Sequence, residues 1–175
     1  MTTLRPFVAE DLFKFNHINL DPLTETYNTN FYLQYLSTWP SLCATYENTC
    51  GRMMGYVLGK AEGSGKLWHG HVTAVTVSPE FRRLGVAKKL MFYLEDVSTR
   101  IFNAYFVDLF VRVSNKLAQL MYGNLNYVVY RQVIEYYSGE EDAYDMRKAL
   151  PRDKKKQSVV PRKPLECSPD ELEFS

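Results

Sequence analysis

The segment Arg82-Arg83-Leu84-Gly85-Val86-Ala87 contains the residue types that bind a diphosphate. Such a ligand needs several converging N–H donors, and the first turn of a helix supplies backbone amides without an intrahelical acceptor. Gly85 and Ala87 carry little or no side chain, so the backbone can approach phosphate oxygens closely. Lys88 and Lys89 add cations at a helix start, where the macrodipole disfavours them. The segment indicates an anion site, and an ordinary strand-to-helix connection with a solvated basic face is the alternative.

The flanking segments would position this turn between a strand and a helix. Trp68–Val77 is rich in β-branched residues and predicts a strand. A helix should follow, because apolar residues recur at helical spacing: Val86, Leu90, Leu94, Val97 and Ile101. The glycine pattern of a Rossmann dinucleotide site, G-x-G-x-x-G, does not occur at this turn.

The rest of residues 1–150 predicts further strands and helices in the order β-α-α-β-β-β-α-β-α-β-β. The class is therefore α/β in the α+β sense, with a mixed, mostly antiparallel central sheet of about seven strands and about four flanking helices. The segments after the glycine turn are a strand, a helix, a strand, a polar connection and a returning strand: Tyr105–Val113, Asn115–Leu125, Tyr127–Tyr137, Ser138–Asp142 and Tyr144–Leu150.

A change of composition divides the chain at Leu150. Residues 151–175 contain four of the eight prolines, a lysine run at Lys154–Lys156 and an acidic end. Such a segment predicts a C-terminal tail that is disordered or bound to a partner. Residues 1–150 form the predicted folded domain.

Bulk composition narrows the class of protein. A net charge of +1 gives no electrostatic reason to expect a nucleic-acid partner. The three cysteines, Cys43, Cys50 and Cys167, have neither disulfide-framework nor zinc-site spacing. No apolar run is long enough to cross a membrane, and the first residues lack the apolar stretch of a signal peptide. We therefore expect a cytoplasmic protein without a metal.

The turn and a second segment together resemble the GCN5-related N-acetyltransferase (GNAT) superfamily. The turn matches Gln/Arg-x-x-Gly-x-Gly/Ala after the strand end Val75-Thr76-Val77, and the second segment is Asn115-x-x-Ala118-x-x-x-Tyr122. The resemblance implies the GNAT fold and acetyl-CoA as cosubstrate. Its diphosphate would bind at Arg82–Lys88, its pantetheine arm would pair with the backbone of Val75–Val77, and Asn115 would contact the arm.

Four other segments are similar to the family of catalytic subunits of N-terminal acetyltransferase B (NatB). They are Asp21–Tyr27, His69–Ala74, Phe81–Gly85 and Val133–Tyr137. This resemblance covers about residues 1–150 and implies acetylation of nascent protein N-termini that start Met-Asp, Met-Glu, Met-Asn or Met-Gln. It also implies a large helical-repeat auxiliary subunit that docks the enzyme at the ribosome. The family often has glycine where this chain has Asn126, the next-best residue for a left-handed helix end.

The resemblance assigns catalytic roles to two residues. Tyr122 would be the general acid that protonates the leaving sulfur, and a core aromatic residue is its alternative. Glu25 would be the base, and an exposed carboxylate at a helix start is the alternative. Asn115 could equally be a helix N-cap. No covalent enzyme intermediate is needed, because the amine can attack the thioester directly.

The remaining candidates concern the peptide. His71 and Thr73 would recognise the second residue of the substrate, and ordinary strand polarity is the alternative. Tyr27, Tyr136 and Tyr137 would surround the methionine, unless they only pack the sheet. His69 and His71 face the same side of a strand, but no further metal ligands are evident from the sequence. The aromatic segment Phe31–Trp39 could belong to the core or meet the auxiliary subunit.

Two other functions fit the same sequence. A lysine or small-amine acetyltransferase would have the same fold and a more acidic acceptor groove. A non-catalytic acyl-CoA-binding subunit is disfavoured by Tyr122 and the complete phosphate turn.

Overall fold

The computed structural model describes residues 2–19, 24–138 and 141–172. Leu20–Leu23 in the predicted loop, Gly139 and Glu140 in the predicted connection, and the last three tail residues lie outside these ranges. The strands are β1 (Thr3–Pro6), β2 (Cys43–Glu47), β3 (Met53–Glu62), β4 (His69–Val77), β5 (Phe106–Arg112), β6 (Val128–Tyr137), β7 (Glu141–Ala149) and β8 (Glu166–Cys167). The α-helices are α1 (Asn16–Asn19), α2 (Thr29–Thr38), α3 (Val86–Arg100) and α4 (Lys116–Asn124).

These strands form one sheet in the order β1-β2-β3-β4-β5-β7-β6-β8. Antiparallel pairing joins β1 to β2, β2 to β3, β5 to β7 and β6 to β7, whereas β8 runs parallel to β6. The predicted fold class is confirmed, with eight strands instead of about seven. Within the described ranges, no helix is long and apolar enough to cross a membrane.

Contacts divide the chain into two compact units, Met1–Lys60 with Val72–Val97 and Ala61–His71 with Ser98–Ser175. The core of the first unit is strongly aromatic. Phe15 packs edge-on against Tyr32 with ring centroids 5.3 Å apart, and Phe7 packs in the same way against Tyr56 at 5.5 Å. Rings of this size bury much apolar area in a small volume, and their edge-to-face geometry adds an attraction between ring quadrupoles.

The first helix of the predicted order of elements is interrupted in the structure. Ala9–Phe13 is a 3-10 turn, and α1 begins only at Asn16. The carboxylate of Asp11 is buried, where it accepts hydrogen bonds from the backbone N–H of Val8 and the guanidinium of Arg5. This side chain holds the entry turn in place of a continuous helix.

α3 confirms the helix predicted from apolar spacing. Val86, Leu90, Leu94 and Val97 are all buried, whereas Ile101 is 64% exposed because the helix ends at Arg100. One face of α3 therefore supplies core contacts, as the period predicts.

The second unit pairs β5, β7 and β6 around buried charges. Arg131, Asp145 and Arg147 are almost completely excluded from solvent, and both guanidiniums donate to the carboxylate of Asp145. Cα pairing places Asp108 of β5 opposite Arg147 of β7. Buried charges in such an interior must be paired, so these contacts constrain the strand register.

The tail beyond Leu150 contributes the eighth strand. Glu166 and Cys167 pair with Gln132 and Val133 of β6, and the backbone N–H of Arg162 donates to Tyr130 at 2.8 Å. Cys167 is buried at this edge. The boundary at Leu150 and a partner for the tail stay predictions.

Candidate active site

The turn from Arg82 to Ala87 opens α3, as the sequence predicts. Arg83 and Gly85 have φ values of 63° and 77°, in the left-handed region that favours glycine. A Cβ on Gly85 would meet no atom within 4 Å, so open space lies beside the backbone there. The amide of Lys89 donates to the carbonyl of Gly85, so the amides that precede Lys89 lie before the helical hydrogen-bond ladder. Both features fit an anion site.

The four cations of this turn have different surroundings. Arg82, Arg83 and Lys88 are exposed, and the Nε of Arg82 lies 3.5 Å from the carbonyl oxygen of Val77. Lys89 turns away, because its Nζ donates to the hydroxyl of Tyr46 at 2.7 Å. This lysine lowers the pKa of the Tyr46 phenol and is occupied within the protein. Arg82, Arg83 and Lys88 remain the candidates for a phosphate.

The strand end Val75–Val77 lies directly before this turn. Gly55 of β3 allows close approach, since a Cβ there would lie 2.6 Å from the carbonyl oxygen of Thr76. The backbone N–H of Ser78 donates to the carbonyl of Met54 at 2.9 Å. β3 therefore holds the end of β4 against itself. The predicted pairing of this strand end with a pantetheine arm stays a prediction.

Asn115 and Tyr122 lie at the start and near the end of α4. The Oδ1 of Asn115 accepts the N–H of Ala118 at 3.1 Å, so Asn115 is the N-cap, and the cap does not use its Nδ2 group. Tyr122 is 8% exposed, and burial raises the pKa of its phenol. A phenol of raised pKa keeps its proton at neutral pH. After α4, Asn126 has a φ of 69°, which confirms the expected left-handed helix end.

The predicted peptide residues of the first unit surround the start of α2. Glu25 is exposed, and no acidic residue lies in the first turn of α2, whose N-cap is Asn28. Glu25 therefore lies before the first turn of α2 as an exposed carboxylate, and its role as the base stays a prediction. Tyr27 stacks on Phe31 with ring centroids 4.1 Å apart. It also lines a cavity of about 480 Å³ together with aromatic and polar residues of the same unit.

Thr73 belongs to β4 and is held by α2. Its hydroxyl donates to the hydroxyl of Tyr35 at 2.9 Å, so the oxygen lone pairs of Thr73 are left to accept a hydrogen bond. Tyr35 is 6% exposed and packs against Trp39. Tyr35 and Trp39 therefore pack within the first unit, and the segment Phe31–Trp39 is in part core.

His71 belongs to a buried polar cluster in the second unit. Its Nδ1 lies 2.8 Å from Oδ1 of Asp108, and its ring packs against Phe110. His69 lies on the same side of β4, with its Nε2 3.4 Å from the same carboxylate oxygen. The sequence predicted the shared side of the two histidines but not the carboxylate between them.

A distortion of β6 sets the directions of the Tyr136 and Tyr137 side chains. The register with β7 shifts between Val133 and Tyr137, and Glu135 has a φ of 53°, which is rare outside glycine. The backbone N–H of Glu135 is held by Oδ1 of Asp142 at 2.9 Å. Adjacent strand residues normally point to opposite faces. Here Tyr136 stacks on the ring of Phe110 and Tyr137 donates to its carbonyl.

Three possible metal ligands, Glu62, His69 and His71, bring one ligand atom each within 4.8 Å of one another. Both histidines are also engaged by protein acceptors, since Nδ1 of His69 lies 2.6 Å from the carbonyl of Leu67 and Nδ1 of His71 faces Asp108. The contacts of the cluster are accounted for by hydrogen bonds and charge pairing. A chain without a metal stays our prediction.

The site residues that the sequence did not indicate share one property: each contacts a candidate residue that is distant along the chain. Asp108, Tyr35 and Phe110 lie 37, 38 and 26 residues from the candidate residues that they contact, which are His71, Thr73 and Tyr136. Their types are ordinary for strands and helices. The alternation of Phe106, Asp108 and Phe110 along β5 was the available signal, since it puts a carboxylate between two rings on one face.

Comparison with known proteins gives a consistent result. The acetyltransferase (GNAT) family model matches residues 9–127. N-alpha-acetyltransferase 20 of Dictyostelium discoideum is 64% identical over 163 residues, which cover 93% of this chain and 94% of that protein. The N-terminal acetyltransferase B complex catalytic subunit of Arabidopsis thaliana is 58% identical over 175 residues, with 99% of each chain covered.

A solved structure agrees with the curated relatives. The crystal structure of Chaetomium thermophilum Naa20 in complex with a bisubstrate analogue matches with a TM-score of 0.89 and 43% identity, covering 96% of this chain and 97% of that one. Identity of this degree over nearly the whole length, together with the phosphate turn and the mixed sheet, defines the family. The chain belongs to the acetyltransferase (GNAT) family and, within it, to the catalytic subunits of N-terminal acetyltransferase B.

Proposed function

We propose that this chain transfers the acetyl group of acetyl-CoA to the α-amino group of proteins that start Met-Asp, Met-Glu, Met-Asn or Met-Gln. The observation that carries the proposal is the 58% identity, across 99% of both chains, to a catalytic subunit of the N-terminal acetyltransferase B complex. The exposed cations beside the open turn at Gly85 supply an independent physical reason for an anionic cosubstrate.

Acetyl-CoA would bind to the turn at Arg82–Ala87, to the end of β4 and to the start of α4. The backbone amides of Leu84, Gly85, Val86 and Ala87 would hold the diphosphate, with Arg82, Arg83 and Lys88 balancing its charge. The backbone of Val75, Thr76 and Val77 would pair with the pantetheine amides. The Nδ2 group of Asn115, which the α4 cap does not use, would contact the same arm.

The reaction is direct attack of the amine on the thioester in a ternary complex. An α-amino group with a pKa near 8 is roughly one-tenth neutral at pH 7, so it needs only modest help from a base. The amine nitrogen bonds to the thioester carbon and the carbon–sulfur bond breaks. The ammonium proton leaves toward Glu25, directly or through water, and Tyr122 donates its phenolic proton to the leaving sulfur. Burial of Tyr122 supports this role because it keeps the phenol protonated.

Selection of the N-terminus would come from aromatic and polar side chains. Tyr27, Tyr136 and Tyr137 would contact the methionine side chain and the peptide backbone, and His71 and Thr73 would contact the second side chain. Thr73 supports this role because its own proton is given to Tyr35, which leaves an acceptor for an amide N–H.

The setting of the reaction is part of the same proposal, and the similarity to catalytic subunits of N-terminal acetyltransferase B complexes supports it. We propose that the chain works in a complex with a large auxiliary subunit, as a subunit of an N-terminal acetyltransferase B complex. Nascent chains would be reached at the ribosome through that partner, in the cytoplasm.

Initial rates with acetyl-CoA and short peptides test the proposal. Peptides that start Met-Asp, Met-Lys, Ser-Glu and Met-Leu would be compared, with and without the co-expressed auxiliary subunit. We expect clear preference for Met-Asp. Equal rates on an internal lysine, or no preference among the first two residues, would contradict the substrate assignment.

Tyr122→Phe is the catalytic control. Loss of a positioned proton donor should lower kcat by about 10²- to 10⁴-fold, whereas the KM values for acetyl-CoA and peptide should change little. Wild-type turnover in this variant would show that the proton for sulfur comes from another group.

A further inference from the structure

Asp108 is a fully buried carboxylate between two histidines of the second unit. Alternation along β5 puts Asp108 on the same side as Phe106 and Phe110, and alternation along β4 aligns His69 with His71. Oδ1 of Asp108 lies 2.8 Å from Nδ1 of His71 and 3.4 Å from Nε2 of His69. One carboxylate oxygen therefore contacts both rings.

His69 is fixed in position beside this carboxylate. Its Nδ1 lies 2.6 Å from the carbonyl oxygen of Leu67, which can only accept, so that nitrogen carries a proton. Its ring stacks on Phe106 with centroids 4.7 Å apart and an interplanar angle of 2°. Burial alone would lower the pKa of His69, but Asp108 and Glu62 raise it above its usual value.

The carboxylate itself stays ionised. Burial alone would raise the pKa of Asp108, but His69, His71 and Arg147 hold that pKa well below its usual range. An ionised carboxylate accepts hydrogen bonds and cannot donate one. Nδ1 of His71 must therefore carry the proton of their hydrogen bond, and Nε2 is the ring nitrogen left for another partner.

His71 is also restricted in position. Its ring packs on Phe110 at 5.6 Å, and only 10% of its side chain is exposed. Phe110 is in turn stacked on Tyr136 at 4.6 Å, beside the distorted part of β6. Little of the imidazole is therefore open to a ligand.

We propose that Asp108 is the positioning residue that lets His71 recognise the second side chain of the peptide. This inference rests on the proposed function, which gives His71 that contact. With Nδ1 committed to Asp108, Nε2 accepts an N–H from the amide of asparagine or glutamine when the ring is neutral. Toward aspartate or glutamate it must carry a second proton and donate, and the negative charge of Asp108 offsets the resulting cation. The imidazole of His71 can therefore recognise aspartate, glutamate, asparagine or glutamine as the second residue of the peptide.

The proposal predicts an unequal loss when the charge of Asp108 is removed. An Asp108→Asn variant keeps the shape of the side chain but can present either an oxygen or an NH₂ group to His71. The catalytic complex with its auxiliary subunit would be assayed on matched Met-Asp and Met-Asn peptides. We expect kcat/KM for Met-Asp to fall by about 10- to 100-fold, the range for a charge-assisted hydrogen bond, mainly through the peptide KM. Met-Asn should lose much less, and the KM for acetyl-CoA should not change.

Asp145→Asn is the matched control, since it removes a second fully buried carboxylate that contacts Arg131 and Arg147 but not His71 in the described contacts. It should lower stability without changing the ratio of Met-Asp to Met-Asn. Equal losses on both peptides in Asp108→Asn, or the same ratio change in Asp145→Asn, would overturn the proposal. A wild-type complex without preference for Met-Asp over Met-Leu would instead overturn the proposed function.

A second measurement does not depend on a substitution at Asp108. ¹⁵N and ¹H NMR of the wild-type imidazoles, with the His71 signals assigned by their loss in His71→Gln, reports which nitrogen is protonated. We expect a proton on Nδ1 of His71. A neutral ring with the proton on Nε2 and a bare Nδ1 would refute the role of Asp108.

Discussion

The turn at Arg82–Ala87 and the buried ionic cluster of the second unit differ in the exposure and pairing of their charged side chains. At the turn, Arg82, Arg83 and Lys88 are exposed beside open space at Gly85. In the cluster, Asp145 is bonded to two buried guanidiniums and Asp108 contacts two histidines. Charges in water cost little to leave beside one another, whereas charges in the interior must be paired.

This difference separates binding from folding. Cations at the turn contribute little to stability and are available to a ligand. The charges of the cluster pair with one another in the interior, so they fix side chains and strand register. Substitutions at the turn should therefore change ligand binding more than stability, whereas substitutions in the cluster should change stability more than ligand binding.

The largest effect is expected from Arg147→Met. This change removes one of the two guanidiniums that pair with Asp145, together with the guanidinium on the residue opposite Asp108, and should lower the free energy of unfolding by about 3–5 kcal/mol. Urea denaturation at 25 °C measures it. Arg82→Met, at an exposed arginine, should stay within about 0.5 kcal/mol of wild type. Similar losses in both variants would remove the distinction between the regions.

Gly85→Val should act on the cosubstrate. A β-branched residue is strained at a φ of 77°, and its side chain would enter the open space that we assign to phosphate. We expect the KM for acetyl-CoA to rise by about 10- to 100-fold, together with a stability loss of about 1–2 kcal/mol.

Gly51→Val is the control for backbone strain. Gly51 has a φ of 73° and equally open surroundings, but it lies in the turn between β2 and β3. It should lose similar stability and keep the wild-type KM for acetyl-CoA. A raised KM in this variant would indicate that strain alone explains the effect of Gly85→Val.

Ionic strength should have a smaller effect, which acts through the exposed cations of the turn on the KM for acetyl-CoA. Raising ionic strength from about 0.01 M to about 0.15 M shortens the Debye length from about 30 Å to about 8 Å, so the attraction between exposed cations and acetyl-CoA should fall. We expect the KM for acetyl-CoA to rise several-fold in the wild type and less in the double variant Arg82→Met with Arg83→Met. Equal salt dependence in both proteins would show that other groups provide the attraction.

The smallest effect concerns pH and His69. The pKa of His69 in the folded protein is raised above the usual 6.5, so the proton stabilises the folded state. That contribution is fully present below about pH 6.5. It is lost as pH rises through the folded pKa. Urea denaturation from pH 6 to 9 should therefore show a decline in wild-type stability that is reduced in His69→Gln, and parallel curves would contradict it.

Local features were predictable from sequence. The helix at Val86–Arg100 follows from apolar residues on one face, and the left-handed end at Asn126 follows from the tolerance of asparagine for positive φ. The turn before α3 depends on neighbouring residues only. In contrast, Asp11 interrupts the first predicted helix through contacts with Val8 and Arg5 that periodicity does not contain.

Non-local features could not be predicted. Glu135 adopts a positive φ because Asp142, on the next strand, holds its N–H. β8 contains only two residues, and its pairing depends on β6, more than 30 residues earlier. A short segment with ordinary residues carries no periodic signal, so its structure is decided by the edge that it meets.

By itself, the sequence determined most of the elements, the turn at Arg82–Ala87 and the family resemblance, because each depends on residue types at short, fixed spacing. Only the tertiary structure decided which charged side chains are exposed and which are paired with other residues. It directed Lys89 to Tyr46, left Arg82, Arg83 and Lys88 exposed, and placed Asp108 between His69 and His71. The reason is physical: the energy of a charge depends on its burial and partners, and both are set by residues far away along the chain.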